Sequence, residues 1–210
     1  MTHAPLATAE RTLPVRAAGL SAISGIAFVA LLTLIHVVRR DVSLNSQTTS
    51  EYAIGDLGWL MVVAFLLSAV SYGALAVAVL ARRPRRPARA GAILLALVAA
   101  GTVVGGIFVT DPVNTPQDQL STSGTLHGLG AGLALMFLPV AALLVGFGLP
   151  SDSRHVLRWT AVLPLAALLM FLAVQAVPDM SIGWPERLLV LVYAVWQIVV
   201  ARVLSRRTVR

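Results

Sequence analysis

The sequence predicts an all-α protein, a polytopic integral membrane bundle of six transmembrane helices. Hydrophobic residues make up 58% of the 210-residue chain and charged residues 12%, whereas a water-soluble domain carries about a quarter charged residues. One protein core could not cover so much apolar surface, so the lipid bilayer is the expected solvent. Six apolar runs are each long enough to cross about 30 Å of hydrocarbon at about 1.5 Å per residue.

The first span is predicted to be a retained helix rather than a signal peptide. Arg11 and Arg16 stand before it, as basic residues do before a signal peptide. The span is too long for that role, and the sequence that ends it, "IHVVRRD", offers no cleavage site of small residues. Together the six spans are predicted at residues 17–38, 57–81, 90–110, 125–149, 158–177 and 187–204 of one domain (17–204), between an N-terminal segment (1–16) and a basic tail (205–210).

The other span ends follow from local sequence. The second span ends at the basic run "RRPRRPAR", and the third begins after it. Pro112 stops the third span, because proline disfavours helical geometry in the residue before it. The fifth begins beside Trp159, a residue type that anchors helices at the membrane interface. In the sixth, Pro185 suits a helix start, and Glu186 in the first turn complements the helix dipole.

The arginines predict that both termini are cytoplasmic, in the plasma (inner) membrane of a bacterium. All 16 basic residues are arginine, which together with the alanine content favours a GC-rich bacterial source. With the termini inside, only Arg39, Arg40 and Arg187 fall outside, as the positive-inside rule requires. This placement at span ends also argues against nucleic-acid binding. The cytoplasmic loop offers contacts to anionic lipid, although topology alone accounts for its arginines: Arg82, Arg83, Arg85, Arg86 and Arg89.

Acidic residues gather on the opposite, outer side. Only Glu10 and Asp152 fall inside in this topology. Acids carry little topological weight, so the sorting needs another cause. We therefore predict an outward-facing site. The outer acids are Asp41, Glu51, Asp56, Asp111, Asp118, Asp179 and Glu186.

Spans three and four are predicted to form a tight hairpin. Glycines recur at Gly124, Gly128 and Gly132 in one span, and at Gly101 and Gly105 in the other, so that neighbouring backbones can approach closely. His127 is adjacent to the first stripe and is expected to point into the bundle or its outer mouth. Asp111 ends the third span, where it either makes turn hydrogen bonds or forms a pair with this histidine.

A polar seam is predicted along the inside of the bundle. Glu186, Tyr193 and Gln197 share one stripe of the sixth span, with Gln197 about 16 Å below Glu186. Polar groups inside a membrane are costly unless paired, so the seam is either interhelical hydrogen bonding or a ligand path. Its other members are Ser68, Tyr72 and Thr102.

Several stretches resemble a bacterial family numbered 998 among domains of unknown function. They are "YAIGDLGWLMVVAF", "GGIFVTDP", "SGTLHGLGA" and "WPERLLVLVYAVW". The resemblance implies six spans and marks Asp56, Asp111 and His127 as characteristic positions. It implies no activity, since the family has none agreed. The family is in turn similar at a distance to the FRAG/DRAM/Sfk proteins, which are tied to lipid homeostasis and membrane trafficking.

Three functions remain open. In the first, an outer site above an apolar bundle binds or handles a lipid or other amphiphile. In the second, an integral membrane enzyme uses the same groups for acid/base or metal-assisted chemistry on a lipid or isoprenoid. In the third, the protein is a small transporter or an accessory subunit, and an oligomer is left open.

The candidate residues differ in the evidence for each role. Catalytic candidates are Asp56, Asp111, His127 and Glu186, and metal candidates are His36, Asp111 and His127, although no metal-binding spacing is present. No cofactor motif occurs, and the absence of cysteine excludes thiolate ligands and disulfides. The predicted ligand-binding residues are Asp56, Asp111, His127, Glu186, Arg187, Tyr193 and Gln197.

Overall fold

The computed structural model describes residues 4–149 and 154–206, with side chains from residue 12 onward. Its six helices are long and apolar enough to span a membrane, so the predicted fold class is confirmed. Two short 3₁₀ helices, Thr49–Ala53 and Gln117–Gln119, lie in loops. The long helices are α1 (Ala4–Val38), α2 (Gly58–Leu80), α3 (Arg86–Ile107), α4 (Thr122–Gly148), α5 (Arg154–Gln175) and α6 (Gly183–Ser205).

Five helices begin earlier than their predicted spans, and α1 begins at Ala4 where residue 17 is predicted. Helices α3, α4, α5 and α6 start at residues 86, 122, 154 and 183, ahead of the predicted 90, 125, 158 and 187. A first helical turn tolerates polar and charged residues, because its N–H groups need partners and its dipole end is positive. A run of apolar residues therefore marks the membrane-crossing part and misses the polar first turn. The last residues of the predicted basic tail, 207–210, lie outside the described residues.

The helices form a closed ring in chain order. Each helix packs on the next one along the chain, α6 returns to α1, and α2 also contacts α6 across the bundle. Three loops (39–57, 108–121 and 176–182) lie at the end that we call the long-loop end. At the opposite end, Arg82 donates a hydrogen bond to the carbonyl of Leu204. That contact ties the loop between α2 and α3 to the last turn of α6.

The predicted hairpin of α3 and α4 is present, and glycines let the two backbones touch. A Cβ added to Gly101 would lie 2.6 Å from the carbonyl oxygen of Gly130, and one added to Gly130 would lie 2.6 Å from that of Gly101. Gly105 meets Ala131 in the same interface. These contacts confirm the role predicted for Gly101 and Gly105.

The glycine stripe predicted on α4 is wrong in two of its three members. Gly124 packs against Asp111, but nothing lies within 4 Å of a Cβ built on Gly128 or Gly132. A step of four residues advances the face of a helix by about 40°, because each residue turns about 100°. Two such steps carry Gly132 off the contact line. The buried face instead runs from Gly124 in steps of three residues to His127 and Gly130, and continues at Leu138.

The long-loop end is fastened by buried polar contacts. Glu51 is 2% exposed, and its carboxylate accepts hydrogen bonds from the backbone N–H of Thr48 at 2.7 Å and of Val113 at 3.3 Å. It thereby joins loop 39–57 to loop 108–121. The backbone N–H of Gly183 donates to the carbonyl of Asn45 at 2.8 Å, which places the start of α6 against the same loop.

Candidate functional site

A cavity of about 80 Å³ lies inside the bundle between α1, α2, α3, α4 and α6. A single buried water needs a cavity of about 10–15 Å³, so this cavity has room for several water molecules. Polar groups lie at both of its ends, and apolar side chains form the walls between them. The walls are Phe28, Met61, Phe65, Val98, Ala131, Ala134, Leu135, Leu138 and Val190.

Glu186 forms the polar end of the cavity nearest the long loops, together with Thr49 and Ser50. Glu186 is 7% exposed and stands in the first turn of α6. The backbone N–H of Thr49 donates to its Oε2 at 2.8 Å, and the Thr49 hydroxyl donates to its Oε1. Both carboxylate oxygens thus act as acceptors, and the helix N-terminus favours their negative charge.

Tyr193 of α6 and Tyr72 of α2 line the deeper part of the cavity with Ser68, whereas Thr102 lines it nearer the long-loop end of α3. The Tyr193 hydroxyl donates to the carbonyl of Leu135 at 2.9 Å. That carbonyl lacks its usual helical partner, because Pro139, four residues on, has no N–H. The tyrosine therefore satisfies an acceptor that a proline leaves open inside a membrane helix.

Gln197 is buried but is not a cavity residue. Its Nε2 donates to the Ser21 hydroxyl at 2.6 Å and to the Ser21 carbonyl at 3.1 Å. The hydroxyls of Ser21 and Ser71 donate to each other's carbonyls at 2.8 and 2.9 Å. A Cβ on Gly25 would lie 2.2 Å from Gln197 Oε1. These contacts join α1, α2 and α6, so the part of the predicted seam around Gln197 consists of interhelical hydrogen bonds.

Arg187 is a buried cross-link between α6 and the α1–α2 loop. Its Nη1 donates to the carbonyls of Gln47 at 2.7 Å and Gly183 at 3.1 Å, and its Nε donates to His36 Nε2 at 3.0 Å. Its guanidinium carbon lies 5.6 Å from the centre of the Tyr52 ring. The contacts join three segments of chain, so this predicted ligand-binding residue has a structural task.

Asp111 and His127 build the α3–α4 turn without touching each other in the described contacts. Asp111 Oδ2 accepts the backbone N–H of Ser121 at 2.7 Å, and the Ser121 side chain caps α4 by accepting from Gly124 N at 2.9 Å. The ring of His127 donates through Nδ1 to carbonyls that end α3, those of Gly105 at 2.7 Å and Phe108 at 3.0 Å. The "TDP…SGxxH" pattern therefore has a local physical explanation as a hairpin closure.

Asp56 is exposed, in the turn that leads into α2. The two glycines of "GDLG" are needed there. Gly55 has a φ of +91°, and a Cβ on Gly58 would lie 2.0 Å from the carbonyl oxygen of Ala53. The motif thus serves a tight turn.

The structure does not bring the four residues of the proposed site, three acids and one histidine, into one cavity. Glu186 and Tyr193 line it, whereas Asp56, Asp111 and His127 are absent from its lining. His127 stands behind the wall, with its ring 5.7 Å from that of Phe65. The ligand-binding and catalytic roles of the other residues stay predictions.

The metal candidates are engaged elsewhere. His36 donates through Nδ1 to the carbonyl of Leu32 at 2.6 Å and accepts from Arg187 at Nε2, so both ring nitrogens are used. Among the described side chains of residues 12–149 and 154–206, no three His, Asp or Glu residues are grouped so that they could hold a metal.

Sequence reasoning missed Thr49 and Glu51 as buried polar residues of the long-loop end. Thr49 is 3% exposed and meets Glu186, 137 residues further along the chain. The available signal was "TTSE", a polar cluster with an acid three residues after Thr48, the pattern of a capping box. It would have indicated a helical turn within the loop.

These features define a class: an integral membrane protein of six helices with a small, mostly apolar cavity inside the bundle. Within that class the chain belongs to the DUF998 family, described as a protein of unknown function, whose model matches residues 22–203. The resemblance stated from the sequence is therefore confirmed. Comparisons with curated proteins and with solved structures find no match.

Proposed function

We propose that the protein binds an amphiphile whose hydrocarbon chain lies in the central cavity and whose head lies beside Glu186. The observation that carries the proposal is the lining of the cavity: a buried glutamate in the first turn of α6, apolar walls, and two tyrosines deeper in the bundle. A concave, mostly apolar site with a few polar groups is typical of small-molecule binding. The small volume of the cavity suits one chain rather than two.

The polar end favours a head that donates hydrogen bonds. Each Glu186 oxygen already accepts one bond from Thr49 and has a further lone pair. A hydroxyl or amine head would meet these acceptors, whereas a phosphate would face a carboxylate of the same charge. The ligand class is therefore a hydroxyl- or amine-headed amphiphile.

The arrangement supports binding better than acid catalysis by Glu186. A general acid must hold a proton and give it to the substrate. Here both oxygens already accept hydrogen bonds from Thr49, and each keeps a lone pair with which it can accept a further bond from a ligand. The enzyme hypothesis therefore ranks below binding.

We also propose that the long-loop end faces the outside of a bacterial plasma membrane, with both termini in the cytoplasm. The support is the arginine distribution described above. In that topology the basic loop 82–89 meets the anionic cytoplasmic leaflet.

The amphiphile proposal can be tested by filling the cavity. Ala134→Phe places a ring in the cavity, whereas Leu133→Phe puts the same ring one residue away, where the side chain is 50% exposed. Both variants and the wild type are purified in one detergent, and the bound amphiphiles are quantified by mass spectrometry. We expect one stoichiometric species in the wild type and in Leu133→Phe, and its loss from Ala134→Phe.

A second variant examines the head. Glu186→Gln keeps the shape and removes the charge, so occupancy should fall roughly tenfold, because a hydrogen bond to a charged group is worth about 1.5–3 kcal/mol. Identical, unselective lipid content in all four proteins would refute the proposed function.

A further inference from the structure

A second space lies on the outside of the bundle between α1 and α6, and we call it the α1–α6 groove. Its volume is about 200 Å³. Thr33 and Leu191 are exposed at its edge, so it opens sideways from the bundle. Because both helices are long and apolar enough to span the membrane, this side faces hydrocarbon. The groove is lined by Phe28, Val29, Leu32, Thr33, His36, Val190, Leu191 and Ala194.

The groove and the central cavity are neighbours that share two lining residues. Phe28 and Val190 line both spaces. Phe28 comes from α1 and Val190 from α6, so the partition lies at the seam between two helices rather than within one. A rotation of the Phe28 side chain about its own bonds changes this partition without moving any backbone.

The central cavity is closed toward the long loops. Thr49 and Glu186 are buried there and bonded to each other, and loop 39–57 is fastened to α6 through Gly183 and Arg187. A hydrocarbon chain entering from that end would have to leave the bilayer and break these bonds. A chain entering from the side stays in hydrocarbon throughout.

We propose that the α1–α6 groove binds the hydrocarbon chain of a membrane amphiphile and is the lateral entrance to the central cavity, with Phe28 and Val190 as the partition. This inference rests on the proposed function. The occupant is a single chain drawn from the leaflet at the long-loop end. The groove's polar residues, Thr33 and His36, lie toward that end of α1, at the depth where an amphiphile carries its head.

The test separates the rate of entry from the final occupancy. A bulky side chain at the groove slows entry and exit equally, so it lowers the rate and leaves the equilibrium unchanged. Thr33→Trp fills the groove from its exposed edge. Leu129→Trp is the matched control, because Leu129 is 60% exposed on α4 at a comparable distance from the long-loop end.

The probe is a monoacylglycerol with a diazirine at the end of its chain, mixed into vesicles of phosphatidylethanolamine and phosphatidylglycerol that contain the protein. Irradiation at successive times, followed by peptide mass spectrometry, measures adducts on the cavity-lining segment 131–138. We expect Thr33→Trp to reach the wild-type plateau at least about ten times more slowly, which corresponds to about 1.4 kcal/mol in the barrier. Leu129→Trp should follow the wild type.

Two contrary results have different meanings. Equal rates in Thr33→Trp and the wild type, with the same plateau, would overturn the lateral entrance and leave the proposed function standing. Absence of adducts on segment 131–138 in the wild type would overturn the proposed function, and with it the entrance. Phe28→Ala gives an independent check, because thinning the partition should speed labelling above the wild-type rate.

Discussion

At the scale of single residues, the polar side chains of this protein divide by task. Asp111, His127 and Arg187 each bond to backbone groups at the ends of helices, and they fix the loops. Glu186 and Tyr193 face the cavity, and each is held by one partner. A buried polar group that already has its partners is costly to remove. Of these residues, however, only Glu186 and Tyr193 line the cavity.

The Arg39–Asp41 pair predicts a small loss of stability in acid. Arg39 Nη2 lies 2.7 Å from Asp41 Oδ2, and this hydrogen bond holds the pKa of the aspartate below its ordinary value of 3.8. Since the folded-state pKa is the lower one, the stabilisation is complete above about pH 3.8 and is lost as the pH falls through the lowered value.

Asp41→Asn should therefore be slightly less stable than the wild type at pH 7 and equal to it at low pH, and the difference is small because the aspartate is exposed. The pH dependence of stability is measured as the melting temperatures of the wild type and Asp41→Asn between pH 2 and 7 in one detergent. A wild-type melting temperature that rises on acidification through this range would contradict the prediction.

The bond between Tyr193 and the carbonyl left open by Pro139 predicts a coupled pair of substitutions. Tyr193→Phe should destabilise the protein by about 1 kcal/mol, because the Leu135 carbonyl loses its donor. In a Pro139→Ala background the new backbone N–H can serve that carbonyl, so the same change should cost less. A double-mutant cycle of unfolding free energies measures the coupling, and strict additivity would show that the proline and the tyrosine are independent.

At the scale of helices, contact between α3 and α4 is set by two glycines of α3 and one glycine of α4. Gly101, Gly105 and Gly130 lie where the two backbones meet. Gly128 and Gly132 do not, since nothing lies within 4 Å of a Cβ built on either. The hairpin is then closed by Asp111 and His127 at its turn. Close packing and turn chemistry thus act on the same pair of helices.

Two alanine substitutions with the same chemical change should give opposite results. Gly101→Ala puts a methyl group 2.6 Å from the Gly130 carbonyl oxygen, so it should destabilise by about 1–3 kcal/mol. Gly128→Ala meets nothing within 4 Å and should be neutral or stabilising by up to about 1 kcal/mol, because alanine favours helix. Thermal unfolding of the two variants and the wild type tests this prediction. Equal destabilisation by both substitutions would argue against the backbone contact between Gly101 and Gly130.

At the scale of the whole molecule, polar groups are concentrated at the two ends and along one interior line. The apolar perimeter is broad, with residues such as Ile23, Leu97 and Leu169 more than half exposed. Such a surface is stable only in hydrocarbon. Trp59 and Trp184 at the long-loop end, and Trp159 at the other, are exposed where interfacial anchors are expected.

The absence of cysteine gives a direct test of the proposed topology. Single cysteines at Ser46 and Arg85 lie on exposed loops at opposite ends of the bundle. In intact cells a membrane-impermeant maleimide should label Ser46→Cys, and it should label Arg85→Cys only after the membrane is permeabilised. The reverse pattern would invert the topology and place the Glu186 end in the cytoplasm.

The fold could be predicted from the sequence more fully than the site. Six apolar runs and interruptions such as Pro112 determine the helices, and the period of Glu186, Tyr193 and Gln197 places all three inside the bundle. The site depends on contacts between distant parts of the chain, such as that of Thr49 with Glu186. No local pattern reports which loop residue will cover a given helix end.

The ring of helices in chain order also has a consequence for how the protein is made. Each newly inserted helix finds its neighbour already in the membrane, so α1 to α5 can assemble by short-range contacts as they leave the ribosome. Only α6 must reach back to α1, and it carries Glu186, Val190 and Tyr193 with it. The cavity is therefore completed only when α6 joins the other five helices, and a chain truncated before Gly183 would have no enclosed interior in which to retain a ligand.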